Sequence, residues 1–106
     1  MKLIINKEKI DIKKCTKFKD RLIGLMFTKK KINNCLLFPK CNSIHTFFMF
    51  QNINVIMTDK NYKITKIYKN LKPWKIIMPK KNTYYTFELT KNIDKLKIND
   101  QLKICD

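Results

Sequence analysis

Short runs of Ile, Phe, Tyr, Thr and Val alternate with polar residues along most of this chain, and Asn, Asp and Pro punctuate them. Period-two alternation between such breaks is the pattern of half-buried β-strands, and many short strands in succession point to a sandwich or barrel. Strands are expected near 2–6, 9–13, 35–38, 43–49, 53–58, 62–69, 74–78, 84–89 and 102–105. Pro39, Pro73 and Pro79 fall between the expected strands, where a missing backbone donor breaks no ladder.

One segment has a different period. In TKFKDRLIGLMF, residues 16–27, Phe18, Leu22, Leu25 and Met26 follow the i, i+4, i+7, i+8 spacing of a buried helical stripe. Thr16 is placed to cap the first turn, and Gly24 helps the helix end or lets another backbone approach. The fold class is therefore mainly β, with one short helix near residues 16–27. A chain of 106 residues suits one domain over 1–106.

Turns in this chain must manage with a single glycine. Asn is the best substitute where the backbone turns left-handed, because its short amide bonds locally. Asp59-Lys60-Asn61 and Asn99-Asp100 are the expected turns. Lys60, Lys63, Lys66, Lys69, Lys72 and Lys75 recur every third residue. Strand geometry sends such residues to alternate faces unless a bulge intervenes, so this segment reads as an edge strand running into a loop, its lysines discouraging aggregation.

A formal charge of +16 and a pI near 9.9 raise nucleic acid and anionic membranes as partners. Composition tempers that reading. Arg21 is the only arginine, and the wealth of Lys, Asn and Ile follows AT-rich codons. Arginine's planar fork is what usually grips phosphate and guanine, so nucleic acid is not favoured. Before Lys7 the apolar run is too short for a signal peptide. The uncharged stretch from Cys41 to Thr58 carries too many amides and hydroxyls for a membrane span and reads as interior. A cytoplasmic protein with reduced Cys15, Cys35, Cys41 and Cys105 is expected.

Candidate chemistry gathers in CNSIHTFFM, residues 41–49, which holds the only histidine. On a strand, Ser43, His45, Phe47 and Met49 share one face and Ile44, Thr46 and Phe48 the other, so a central strand is expected. Cys41 and His45 would then stand about 13 Å apart, too far for proton transfer unless the chain near Pro39 curls back. Zinc would need Cys35, Cys41 and His45 with Cys15 or Cys105, but no paired C-x2-C spacing supports it. A hydrogen-bonded core histidine among packed thiols is the default, with no metal or cofactor.

KFKDRLIGLMF, SIHTFFM, INVIMTDKNYKITKI, LKPW, FEL and INDQL, in this order over residues 15–105, resemble the small prokaryotic family called domain of unknown function 192. The resemblance implies a mainly β, jelly-roll-like sandwich or barrel with one short helix, and no established activity. Its pattern falls on Arg21, Gly24, Leu25, Met26, Cys41, His45, Thr46, Met49, Asp59, Pro73, Trp74, Glu88 and Asp100. Relatives tend to have Pro-Ile-Asp where this chain has Asn52, Ile53 and Asn54, which puts any role of that carboxylate in doubt. Family turn glycines are replaced by Asn61 and Asn99.

A non-enzymatic binding or accessory module is the favoured expectation. Arg21, Cys41, His45 and Thr46 are its candidate ligand-binding residues, and its partner is a small anionic ligand or an acidic protein surface. A small enzyme using Cys41 and His45, with or without metal, is the rival, and general nucleic-acid binding is the third reading.

Overall fold

The computed structural model describes residues 1–5, 7–14, 35–39, 44–45, 52–72, 75–77, 81–90 and 92–105. They form β1 (Lys2–Ile5), β2 (Glu8–Lys14), β3 (Cys35–Pro39), β4 (Ile44–His45), β5 (Ile53–Thr58), β6 (Ile64–Leu71), β7 (Ile76–Ile77), β8 (Tyr85–Leu89) and β9 (Lys103–Cys105). Every expected strand has a counterpart. The expected helix at 16–27 lies outside the described residues.

Seven strands make one sheet in the order β6-β5-β8-β3-β2-β1-β9, and β4 and β7 pair as a separate ribbon. All pairings are antiparallel except β2 with β3. A parallel pair cannot be joined by a tight hairpin, and β2 and β3 are accordingly far apart in sequence, at 8–14 and 35–39. The sheet curls until the segment leading into β9 reaches the start of β6 at one end. There the Ile64 N–H donates to the Asp100 carbonyl oxygen at 2.8 Å, the Asn99 N–H to Ile64 at 2.8 Å and the Leu102 N–H to Tyr62 at 3.0 Å. Joining the edges this way leaves fewer unpaired backbone groups at that end.

Curling encloses the first core: Leu3, Ile5, Ile10, Cys35, Leu37, Ile56, Ile64, Phe87, Leu89, Ile93 and Leu102. The other face of the central strands carries a second cluster of Leu36, Phe38, Ile53, Val55, Met57 and Ile77. Burial on both faces explains why CLLF is an unbroken apolar run and why INVIMT is apolar at four of its six positions, its Asn54 and Thr58 being buried as well. Ile77 belongs to the ribbon, so the ribbon packs over this second face.

Three expectations need correction. The strand that carries His45 is not central: Ile44 pairs with Ile77 and His45 with Ile76 in the two-stranded ribbon. Its apolar residues match a covering element as well as a central strand, which is why the pattern misleads. Pro39 is not between strands but ends β3, opposite Tyr85. The β2 register stops at Leu37, so the proline ring lies past that ladder.

The left-handed residue of the 59–63 turn is Tyr62 (φ 64°), not Asn61, whereas Asn99 (φ 78°) takes the conformation as expected. Tyr62 is held there because the Asp59 carboxylate collects the N–H groups of Asn61 at 2.8 Å and Lys63 at 3.0 Å, and its ring stacks on Tyr85 at 4.7 Å. These contacts offset a left-handed cost of about 1–2 kcal/mol.

β6 is an edge strand, as the lysine period suggests, but it carries two register shifts, opposite Met57/Thr58 and Ile53/Val55. The first shift puts Ile64 and Ile67, three residues apart, on the first core's face. Lys66 therefore stands opposite Met57 on the second face. Asn70 (φ 53°) lies at the second shift, and its N–H donates to Asn54 Oδ1 at 2.9 Å. An amide oxygen meets that need, so no carboxylate is required at position 54 for this contact.

Candidate functional site

Of the residues expected to bind a ligand, Arg21, Cys41 and Thr46 lie outside the described residues. His45 is placed by its backbone in the β4–β7 ribbon, in register with Ile76. Among the described residues no group of His, Cys, Asp and Glu could hold a metal ion. No described helix is long and apolar enough to cross a membrane. The Cys35 thiol is fully buried and donates to the Leu36 carbonyl oxygen at 3.8 Å.

The described surface does contain a polar pocket that the sequence does not announce. β5 ends at Thr58 and runs antiparallel to both β6 and β8, with Thr58 opposite Ile64 and Tyr85. The turn leaving β5 and the turn entering β8 are thus brought to one end of the sheet. Between them, against Asn99 of the closing segment, opens a cavity of about 610 Å³. Lys60, Asn61, Lys63 and Thr65 line one wall, and Lys81, Asn82, Thr83 and Tyr84 the other.

Each wall is fixed by backbone bonds. Asp59 folds the first turn through the two contacts above, and its own N–H donates to the Lys63 carbonyl oxygen at 3.0 Å. In the second turn Asn82 adopts φ 59°, and the Tyr84 N–H reaches the Thr58 carbonyl oxygen at 2.7 Å. The Thr65 hydroxyl donates to the Met57 carbonyl oxygen at 3.1 Å, so its oxygen is left to accept from Thr83, 3.2 Å away. The two walls are joined through that hydroxyl pair.

Charge in the pocket is one-sided. Lys60, Lys63 and Lys81 face one carboxylate, Asp59, whose Oδ1 already serves two backbone N–H groups. None of the three lysines is ion-paired with a described carboxylate; the pairs Lys2–Asp11 and Lys69–Asp94 lie elsewhere. The Lys60 ammonium stands 5.3 Å from the centre of the Tyr84 ring. Behind it, a hydrogen bond with Tyr62, then burial, raise the Tyr85 phenol above its usual value, so it stays neutral at physiological pH.

A second feature is a buried acid. Glu88 on β8 is 6% exposed and lies between Leu36 and Val55 on the second face. Burial away from water pushes its carboxyl up to about 8, so it holds its proton at neutral pH. Alternation in YTFEL suggests a solvent-facing glutamate. It is buried because the sheet is covered on both sides.

Both pocket walls had weak signals in the sequence. Lys60 and Lys63 belong to the every-third-residue lysines, and Lys81-Asn82-Thr83 is a polar cluster ahead of a strand. Their meeting depends on strand order, which spacing along the chain does not reveal.

Comparison with known proteins agrees with this architecture. The family model DUF192, described as Uncharacterized ACR, matches residues 1–104. A UPF0127 protein of Pyrococcus horikoshii is 39% identical over 75 residues, covering 67% of this chain and 64% of that protein. A UPF0127 protein of Thermococcus kodakarensis is 35% identical over 83 residues, covering 73% and 52%. The chain thus spans about half to two thirds of the length of these relatives.

Two crystal structures share the fold. A protein of unknown function from Novosphingobium aromaticivorans superposes with a TM-score of 0.78 at 12% identity, covering 97% of this chain and 82% of its own. A putative transcription regulator from Sinorhizobium meliloti gives 0.77 at 17% identity, covering 96% and 89%. With the family match spanning nearly every residue and the curled sheet shared, this chain belongs to the DUF192 family, whose curated relatives carry the name UPF0127.

Proposed function

We propose that this chain is a non-enzymatic binding module for a small anionic ligand, held in the pocket between the 59–65 and 81–84 segments. The observation that carries the reading is the convergence of three lysines, none paired with a described carboxylate, on a cavity of about 610 Å³. That volume is room enough for a small ligand in a cleft that stays open to solvent on one side. Each ammonium contributes about 1 kcal/mol to an anion at contact distance in water, so the three together support a modest, salt-sensitive affinity.

Thermal unfolding with inorganic phosphate, sulfate, citrate and nucleoside phosphates tests this reading. At ten times the dissociation constant a ligand stabilises by about 1.4 kcal/mol, which raises Tm by roughly 5–10 °C in a domain of this size. The triple variant Lys60→Gln, Lys63→Gln, Lys81→Gln is expected to lose that increase. Absence of stabilisation by every anion at low salt, or an equal increase in the triple variant, refutes the proposal.

A further inference from the structure

The pocket's charge attracts anions without choosing among them. All its described cationic groups are lysines. An ammonium binds phosphate oxygens as a compact point charge without arginine's two-bond geometry, so the lysines accept a phosphate but do not by themselves prefer it to a carboxylate.

One wall is aromatic and braced. The Tyr84 ring meets Tyr85 edge-on, with centres 4.7 Å apart and planes at 78°, and Tyr85 in turn stacks on Tyr62 at 4.7 Å and 19°. With its backbone N–H tied to Thr58, Tyr84 is held as a fixed surface. The Lys60 ammonium over that ring is an exposed, weakly bound neighbour that a flat ligand can displace.

The remaining polar groups suit a heterocycle better than a bare anion. The hydroxyl hydrogens of Thr65 and Thr83 have protein acceptors, in Met57 and in Thr65 or Lys81, so these oxygens present lone pairs to the cavity. Asn61, Asn82 and Asn99 also line it, and asparagine carries both amide donors and an acceptor. Inorganic phosphate would use the lysines and leave these groups idle.

We propose that the pocket takes a nucleoside phosphate, its base stacked on Tyr84 and its phosphate held by Lys63, Lys81 and the displaced Lys60. The inference rests on the anion-binding reading above and extends it to a ligand class. The nucleotide is either free or part of a single strand, since both present the same base and phosphate.

Calorimetric titration of the full chain at low salt with AMP, ribose 5-phosphate, inorganic phosphate and an eight-residue oligothymidylate tests it. AMP is expected to bind at least about ten-fold tighter than ribose 5-phosphate, the increment of one base–aromatic stack. Tyr84→Ala should abolish the advantage of AMP over ribose 5-phosphate; Tyr84→Phe, which keeps the ring, should preserve it. Lys81→Gln should weaken both ligands alike. An oligonucleotide that binds tighter than the mononucleotide identifies a strand as the source, and equal or weaker binding identifies the free nucleotide. Equal affinities for AMP and ribose 5-phosphate, or a Tyr84→Ala loss shared by both, overturn the nucleotide inference and leave anion binding standing. Failure of every phosphate to bind overturns the nucleotide inference, and failure of sulfate and citrate as well overturns the anion reading.

Discussion

Glu88 gives a quantitative handle on the covered sheet. Its carboxyl holds a proton up to about pH 8 when folded, against a usual value of 4.5, and burial is the cause. The folded state therefore binds the proton more tightly than the unfolded chain does. Stability from this group is fully present below pH 4.5, falls as the pH rises from 4.5 to about 8, and levels off above that. Over the whole window the loss amounts to roughly 5 kcal/mol, of which about 3 kcal/mol has developed by pH 7.

Glu88→Gln keeps the shape and removes the titration. The extra amide hydrogens carry a cost of about 1 kcal/mol or more in this apolar setting, but that cost does not change with pH. Urea unfolding of both proteins at intervals from pH 4.5 to 8.5 isolates the effect, because every other titrating group is common to the pair. The stability difference should shift by roughly 3–5 kcal/mol in favour of the variant across the range, making it the more stable protein at pH 8.5. A difference that stays within about 1 kcal/mol at all pH values would show that Glu88 is solvated, and the second face open.

Other perturbations test separate parts of the structure. Phe87→Ala, which empties a fully buried ring position at the centre of the first core, should cost about 3–5 kcal/mol in urea unfolding. Asp59→Ala removes the acceptor of the Asn61 and Lys63 N–H groups; it should cost about 1–2 kcal/mol and speed hydrogen exchange at those two amides. At Asn99, where φ is 78°, glycine should be neutral or slightly stabilising, whereas alanine should cost about 1 kcal/mol in thermal unfolding.

The strands were legible because alternation and turn residues are local. CLLF, INVIMT and YTFEL carry their pattern within a few residues, and Asn99 marks its turn by type. Features that arise between distant segments were not legible. The period-three lysines look like a disrupted strand until the register shifts of β6 are known, and those shifts depend on β5 and on Asn54. The pattern of SIHTFFM alone cannot tell a central strand from a two-stranded ribbon, and it is the pairing of Ile44 and His45 with β7 that decides for the described residues. Tyr62 defies turn statistics because Asp59 and Tyr85 hold it. The pocket was the least legible feature, since β8 lies beside β5, nearly thirty residues away in sequence, and only that pairing brings Lys81 and Tyr84 to Lys60 and Lys63.

Amide chemical-shift mapping during titration with phosphate and AMP is the most direct measurement of where an anion settles. The account predicts the largest changes at Asn61, Lys63, Thr65, Lys81, Asn82, Thr83, Tyr84 and Asn99, saturating together and weakening with salt. Changes centred on Arg21, Cys41, His45 and Thr46, with the pocket amides unmoved, would contradict it.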